Sequence, residues 1–100
     1  MEKDKDKTIV IFKKDAGGLF AFFPELPGTN DRYTCTYYAQ IGQHSAGDVQ
    51  LMASAKAAKP EEYAYLFREL EGIGYNLTIR RKVSQKMNRT RIAELERMGK

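Results

Sequence analysis

The sequence predicts an α+β fold, a two-layer sandwich with one main helix packed on an antiparallel or mixed sheet of four to five strands, ordered β-β-β-(β)-α-β, and a basic helix at the C-terminus. Three observations carry this. Residues 8–12 (TIVIF) and 19–23 (LFAFF) are β-branched and aromatic runs joined by a short glycine-bearing link. Residues 33–41 alternate with a period of two. Residues 60–73 set apolar side chains at helical spacing, and a second alternating run follows at 75–81.

The first two runs read as a hairpin, with Asp15, Gly17 and Gly18 supplying the turn. Both strands are apolar on both faces, so the sheet is either covered on two sides or meets a partner. Residues 24–31 (PELPGTND) then break the pattern, because two prolines and a glycine do not continue a central strand. In the third strand Tyr33, Cys35, Tyr37, Ala39 and Ile41 share one face, and Thr34, Thr36, Tyr38 and Gln40 the other. Residues 42–48 read as a loop, and 49–54 (VQLMAS) as either a short fourth strand pairing back on the third, the reading favoured, or irregular structure. In the helix, Pro60 suits the first turn, Glu61 and Glu62 complement the positive dipole end, and Gly72 and Gly74 offer the stop. Its apolar stripe is Tyr63, Leu66, Phe67, Leu70 and Ile73. The final helix, 86–98, has only a thin stripe of Met87, Ile92, Leu95 and Met98, too little to hold it alone. The expected organisation is a frayed lead at 1–7, a single domain at 8–82 and a basic helical tail at 83–100.

Composition narrows the function classes. A chain of 100 residues holds one core. No apolar run approaches the ~20 residues that cross a bilayer, and the charged start MEKDKDK does not read as a signal peptide. Cys35 is the only cysteine, which fits a reducing cytoplasm and excludes an internal disulfide. Cys35 and His44 are too few for a closed tetrahedral zinc site, so neither metal nor cofactor is expected. The net charge of +4 is unevenly placed: residues 80–100 hold eight Lys and Arg against two Glu, whereas residues 1–79 are net −2. Such asymmetry points to an anionic partner or to a solvated helix.

The run Phe22-Phe23-Pro24-Glu25-Leu26-Pro27-Gly28 at the end of a second strand resembles the F-P-D/E-L-P-G signature of HicB-type antitoxins. That resemblance implies a partial ribonuclease-H-like fold, three strands then a helix then a strand, in a small bacterial domain that masks an RNA-cleaving toxin. It implies a partner surface near residues 23–28 and a DNA-binding or oligomerising segment at 80–100. The sequence departs from the pattern where thirty-one residues separate Gly28 from Pro60. The later runs GQHS and EEYAYLFRELEGIGY resemble a small bacterial family from which no activity carries over.

Candidate functional residues fall into three groups, none assigned a catalytic role. Arg80, Arg81, Lys82, Lys86, Arg89 and Arg91 suit phosphate oxygens and would give salt-sensitive binding of nucleic acid or an acidic partner. Gln43, His44 and Ser45 form a possible loop site around the one side chain that titrates near neutrality. Pairing His44 with Cys35 for nucleophilic chemistry requires a sharp return of the chain; otherwise His44 bonds its own loop. Phe20, Phe22 and Tyr38 are either core or an aromatic surface for bases or a partner. The reading placed first is a cytoplasmic, non-enzymatic binding module, antitoxin-like, with a protein partner or a second copy on the sheet and nucleic acid on the basic tail. A structural homo-oligomer ranks second and a small enzyme using His44 third.

Overall fold

The computed structural model describes residues 7–15, 18–29, 32–39 and 43–98. The lead at 1–6, the link at 16–17, residues 30–31, the segment 40–42 and the last two residues lie outside this description. The fold is α+β: a six-stranded sheet with three helices. The strands are β1 (Thr8–Asp15), β2 (Gly18–Pro27), β3 (Thr34–Ala39), β4 (Gln43–Asp48), β5 (Lys56–Ala57) and β6 (Leu77–Ile79). The helices are α1 (Val49–Ser54), α2 (Pro60–Ile73) and α3 (Gln85–Met98).

The first four strands form an antiparallel meander in the order β4-β3-β2-β1. The far edge of β1 is shared by two short strands, β5 antiparallel at Lys13 and Lys14 and β6 parallel at Thr8, Ile9 and Val10. Period-two alternation then sorts the side chains. Val10, Phe12, Ala21, Phe23 and Tyr38 point to α2 and pack with Leu66 and Leu70. Ile11, Phe22 and Cys35 point the other way, to Val49 and Met52 of α1 and Met87 of α3. The doubly apolar hairpin is thus covered on both faces, and the expected two layers gain a third.

Four local expectations are corrected. Residues 43–48 are a strand rather than a loop, with every residue of QHSAGD paired to β3. Residues 49–54 are helical rather than extended, because Asp48 caps them: its Oδ1 accepts from the N–H groups of Gln50 (2.8 Å) and Leu51 (3.3 Å). The strand β2 continues through the prolines. Phe23 pairs with Thr36 and Pro27 with Cys35, so Pro24, Glu25 and Leu26 bulge out, and Thr36 Oγ1 donates to the Pro27 carbonyl at 2.8 Å to close the bulge. The alternating run at 75–81 is ladder-paired only at Leu77–Ile79.

Helix α2 spans the expected residues. Glu62 accepts from the Lys59 N–H at 2.8 Å, and Gly74, at φ 127°, ends the helix with its N–H shared by Leu70 and Glu71. Phe12 stacks on Tyr63 at 4.2 Å, fixing α2 to the sheet. Helix α3 is not a trailing arm. It starts on Ser84, whose Oγ accepts from the Met87 N–H at 3.2 Å, and lies across β2. Met87 and Arg91, one turn apart, are both buried. No helix among the described residues is long and apolar enough to cross a membrane.

Candidate nucleic-acid interface

The chain leaves β6 at Ile79 and reaches α3 through Arg80, Arg81, Lys82, Val83 and Ser84. This crossing passes from the β1 edge to the α1/α3 face and opens a recess of about 1020 Å³. The recess is lined by Lys13, Arg80, Arg81 and Lys82 together with apolar residues that include Ala53, Val83 and Met87, and none of its lining residues is acidic. Arg80 and Arg81 also border a second recess of about 280 Å³ beside Phe12, Pro60 and Tyr63. Arg80, Arg81 and Lys82 are exposed, as are Lys86 and Arg89 on the outer side of α3. Among the described residues none of these five forms an ion pair; the two pairs present are Lys14–Glu62 and Arg97–Glu94. Glu25 feels two of these cations: burial raises its carboxyl pKa, and Lys86 and Arg80 act against that rise. Five of the six basic residues singled out from sequence are therefore exposed and outside any ion pair among the described residues, although Arg80 also donates to the Ile79 carbonyl at 3.1 Å.

Arg91 is the sixth, and it is corrected. Only 4% of it is exposed. Its guanidinium donates to the carbonyls of Pro24 (3.0 Å) and Arg32 (2.9 Å) and to Asn88 Oδ1 (2.7 Å). Burial pulls its pKa below the ordinary value, with Cys35 nearby acting the other way. The fork is consumed in holding α3 to the bulge and offers nothing to a phosphate.

The aromatic surface is corrected too. Phe22 is wholly buried under α1 and α3, and Tyr38 is buried under α2. Phe20 is half-buried, edge-on to Tyr37 at 5.9 Å. The Tyr38 hydroxyl donates to Glu69 Oε2 at 2.5 Å, and that bond, followed by burial, raises its pKa.

His44 and Ser45 are exposed on β4, and Gln43 opens the same strand. His44 Nε2 lies 2.9 Å from the Tyr75 hydroxyl, and its ring sits edge-on to Tyr38 at 4.7 Å. Tyr75 in turn stacks on Phe23 at 5.0 Å, and burial raises its pKa. His44 thus belongs to the α2 face. Cys35 belongs to the opposite face, where burial pushes its thiol up to about 12 against Arg91 and with Asp48. The sheet itself separates the two, which removes the nucleophile–base pairing. Among the described residues no group of three His, Cys, Asp or Glu side chains is disposed around a metal site.

Sequence reasoning missed Lys13, Glu69 and Tyr75. Lys13 ends an apolar run in which a lysine reads as the start of a turn; the alternation of TIVIFK, which puts it on the same face as Ile11, was the available signal. Glu69 and Tyr75 meet their partners only through contacts thirty-one residues away in sequence. No protein-family model, curated protein or solved structure matches the chain.

Proposed function

We propose that the protein is a non-enzymatic nucleic-acid-binding module in which Arg80, Arg81 and Lys82, with Lys86 and Arg89 beside them, hold phosphates of the polyanion. The observation that supports this is the 1020 Å³ recess walled by four cations with no acidic lining residue. Arginine forks match phosphate oxygens, and each phosphate neutralised releases counterions, so affinity falls steeply with salt. The test is fluorescence anisotropy of the full chain with duplex DNA and with single-stranded RNA over a salt series. Three contacted phosphates predict a slope of log K on log salt near −2 to −3, and the Arg80→Ala/Arg81→Ala/Lys82→Ala variant flattens it by about that amount. Absence of binding at low salt, or an unchanged slope in the variant, overturns the reading.

A protein partner or a second copy is the second reading. It is favoured by a recess of about 360 Å³ lined by Leu19, Phe20, Tyr37 and Met52, beside Leu51, which is 73% exposed. The HicB-type resemblance belongs to this reading, with a toxin-like protein as the partner class. Sedimentation equilibrium of the full chain and of Leu51→Glu separates self-association, which the variant weakens, from a monomer insensitive to it.

A further inference from the structure

Lys13 lies among the buried residues, 6% exposed, yet it lines the cationic recess. Its Nζ donates to the carbonyls of Ala53 and Ala55, each at 3.2 Å, at the C-terminal end of α1. An ammonium has three protons and no acceptor, so two protons are placed and one remains. Among the described residues no carboxylate forms an ion pair with it. Burial depresses its pKa, with no neighbouring anion acting to restore it. The ammonium end is only partly buried, and the cavity it lines carries Arg80, Arg81 and Lys82 as its remaining charged residues.

The depth of Lys13 selects among phosphates. A phosphodiester along the rim carries sugars on both sides and one negative charge, and it meets the exposed cations first. A terminal phosphate monoester has one ester link, three free oxygens and about −1.5 to −2 charge at neutral pH. It can descend to the recessed ammonium while Arg80 and Arg81 close on its outer oxygens. Resting on the nucleic-acid reading of the same recess, we infer that Lys13 is the floor of a pocket for the terminal phosphate of a nucleic-acid strand.

The experiment compares one oligonucleotide in three forms, with a 5′-phosphate, a 3′-phosphate and hydroxyls at both ends, binding to the full chain. A phosphorylated end is expected to bind ten-fold or more tightly than the hydroxyl form. Lys13→Met, which keeps most of the length and the apolar character of the stem, is expected to erase that difference. Arg68→Ala, exposed on α2 across the sheet, leaves the difference intact. Should Lys13→Met fail to fold, the lysine ε-CH₂ resonances of the unaltered chain decide: titration with inorganic phosphate moves the Lys13 signal if the inference holds and leaves it still if it does not. Equal affinity for all three forms, with the salt slope retained, overturns the terminal-phosphate inference and leaves the broader reading standing. Loss of all oligonucleotide binding overturns both.

Discussion

Replacing Arg91 tests how the C-terminal helix is held. Its guanidinium makes three hydrogen bonds, to Pro24 O, Arg32 O and Asn88 Oδ1, at 3.0, 2.9 and 2.7 Å. Bonds donated by a charged group contribute about 1.5–3 kcal/mol each. Against this, removing the side chain relieves the burial penalty of the guanidinium itself, which is several kcal/mol for a buried ion. It also relieves a buried Nε that has no hydrogen-bond partner among the described residues. The two carbonyls left without a donor return part of that relief, at about 1–3 kcal/mol for each that stays dry. The balance for Arg91→Ala is a loss of about 2–4 kcal/mol. At about 4–8 °C per kcal/mol for a domain of this size, that is a fall in Tm of roughly 10–25 °C.

Urea unfolding of the full chain, followed by circular dichroism, measures the loss. Hydrogen exchange locates it, since the amides of 85–98 should lose protection before those of β1 and β2. Arg91→Lys keeps the charge without the fork and should recover little. Arg89→Ala, on the exposed side of the same helix, should stay within about 0.5 kcal/mol of the unaltered chain. Equal stability of Arg91→Ala and Arg89→Ala would show that α3 is not anchored by this residue and would refute the reasoning.

Three further outcomes are expected. A Cβ at Gly28 would lie 2.6 Å from the Cys35 carbonyl oxygen and 2.7 Å from Ala46 Cβ, whereas one at Gly72 meets nothing within 4 Å; Gly28→Ala should therefore cost about 1–3 kcal/mol and Gly72→Ala, inside α2, should stabilise by about 0.5–1 kcal/mol, both read from chemical denaturation. Cys35, buried with its thiol pushed up to about 12, should resist a thiol-reactive disulfide reagent at pH 8 in the native chain and react at once in denaturant, and rapid native labelling would contradict its burial on β3 beneath α1 and α3. Tyr38 and Tyr75 have folded pKa values raised by the Glu69 bond and by burial respectively, so their stabilisation is complete below about pH 10 and lost as pH rises through the folded values; absorbance at 295 nm should show delayed phenolates, with Glu69→Gln bringing Tyr38 forward.

The regular elements were legible because their signals are local. Proline at the first turn, two glutamates after it and a stripe at helical spacing define α2 from residues 60–73 alone, and the β-branched hairpin announces β1 and β2. What was not legible depends on partners distant in sequence. QHSAGD has the composition of a loop and becomes β4 because β3 offers it an unbroken ladder. VQLMAS has the apolar content of a strand and becomes α1 because one carboxylate, Asp48, takes its first two free N–H groups. The basic cluster was visible as charge, but composition does not say which of six cations turns inward. Lys13 carried the weakest signal of all, since a lysine beside a glycine link reads as solvent-exposed until α1 closes over it.

The motif at 23–28 and the basic helix, treated apart in sequence, are one structural unit. Pro24 has no N–H to give a ladder, and the bulge that accommodates it leaves its carbonyl outside the β2–β3 register. That carbonyl is buried, and a buried acceptor needs a donor. Arg91 supplies it from α3, sixty-seven residues later, and reaches Arg32 O with the same fork. An apolar residue at position 91 would thicken the stripe of α3 and leave the bulge unsatisfied; arginine gives up hydrophobic contact and closes the bulge instead. This is why a helix with so thin an apolar face docks at all. The consequence reaches the cationic recess: with α3 pinned at Arg91 and Met87, the crossing from Arg80 to Ser84 is held at both ends, by the β1–β6 ladder and by the helix start. The cations on that crossing are presented on a fixed scaffold rather than a free tail, so on the proposed nucleic-acid reading Arg91→Ala should weaken binding by releasing the segment that carries those cations.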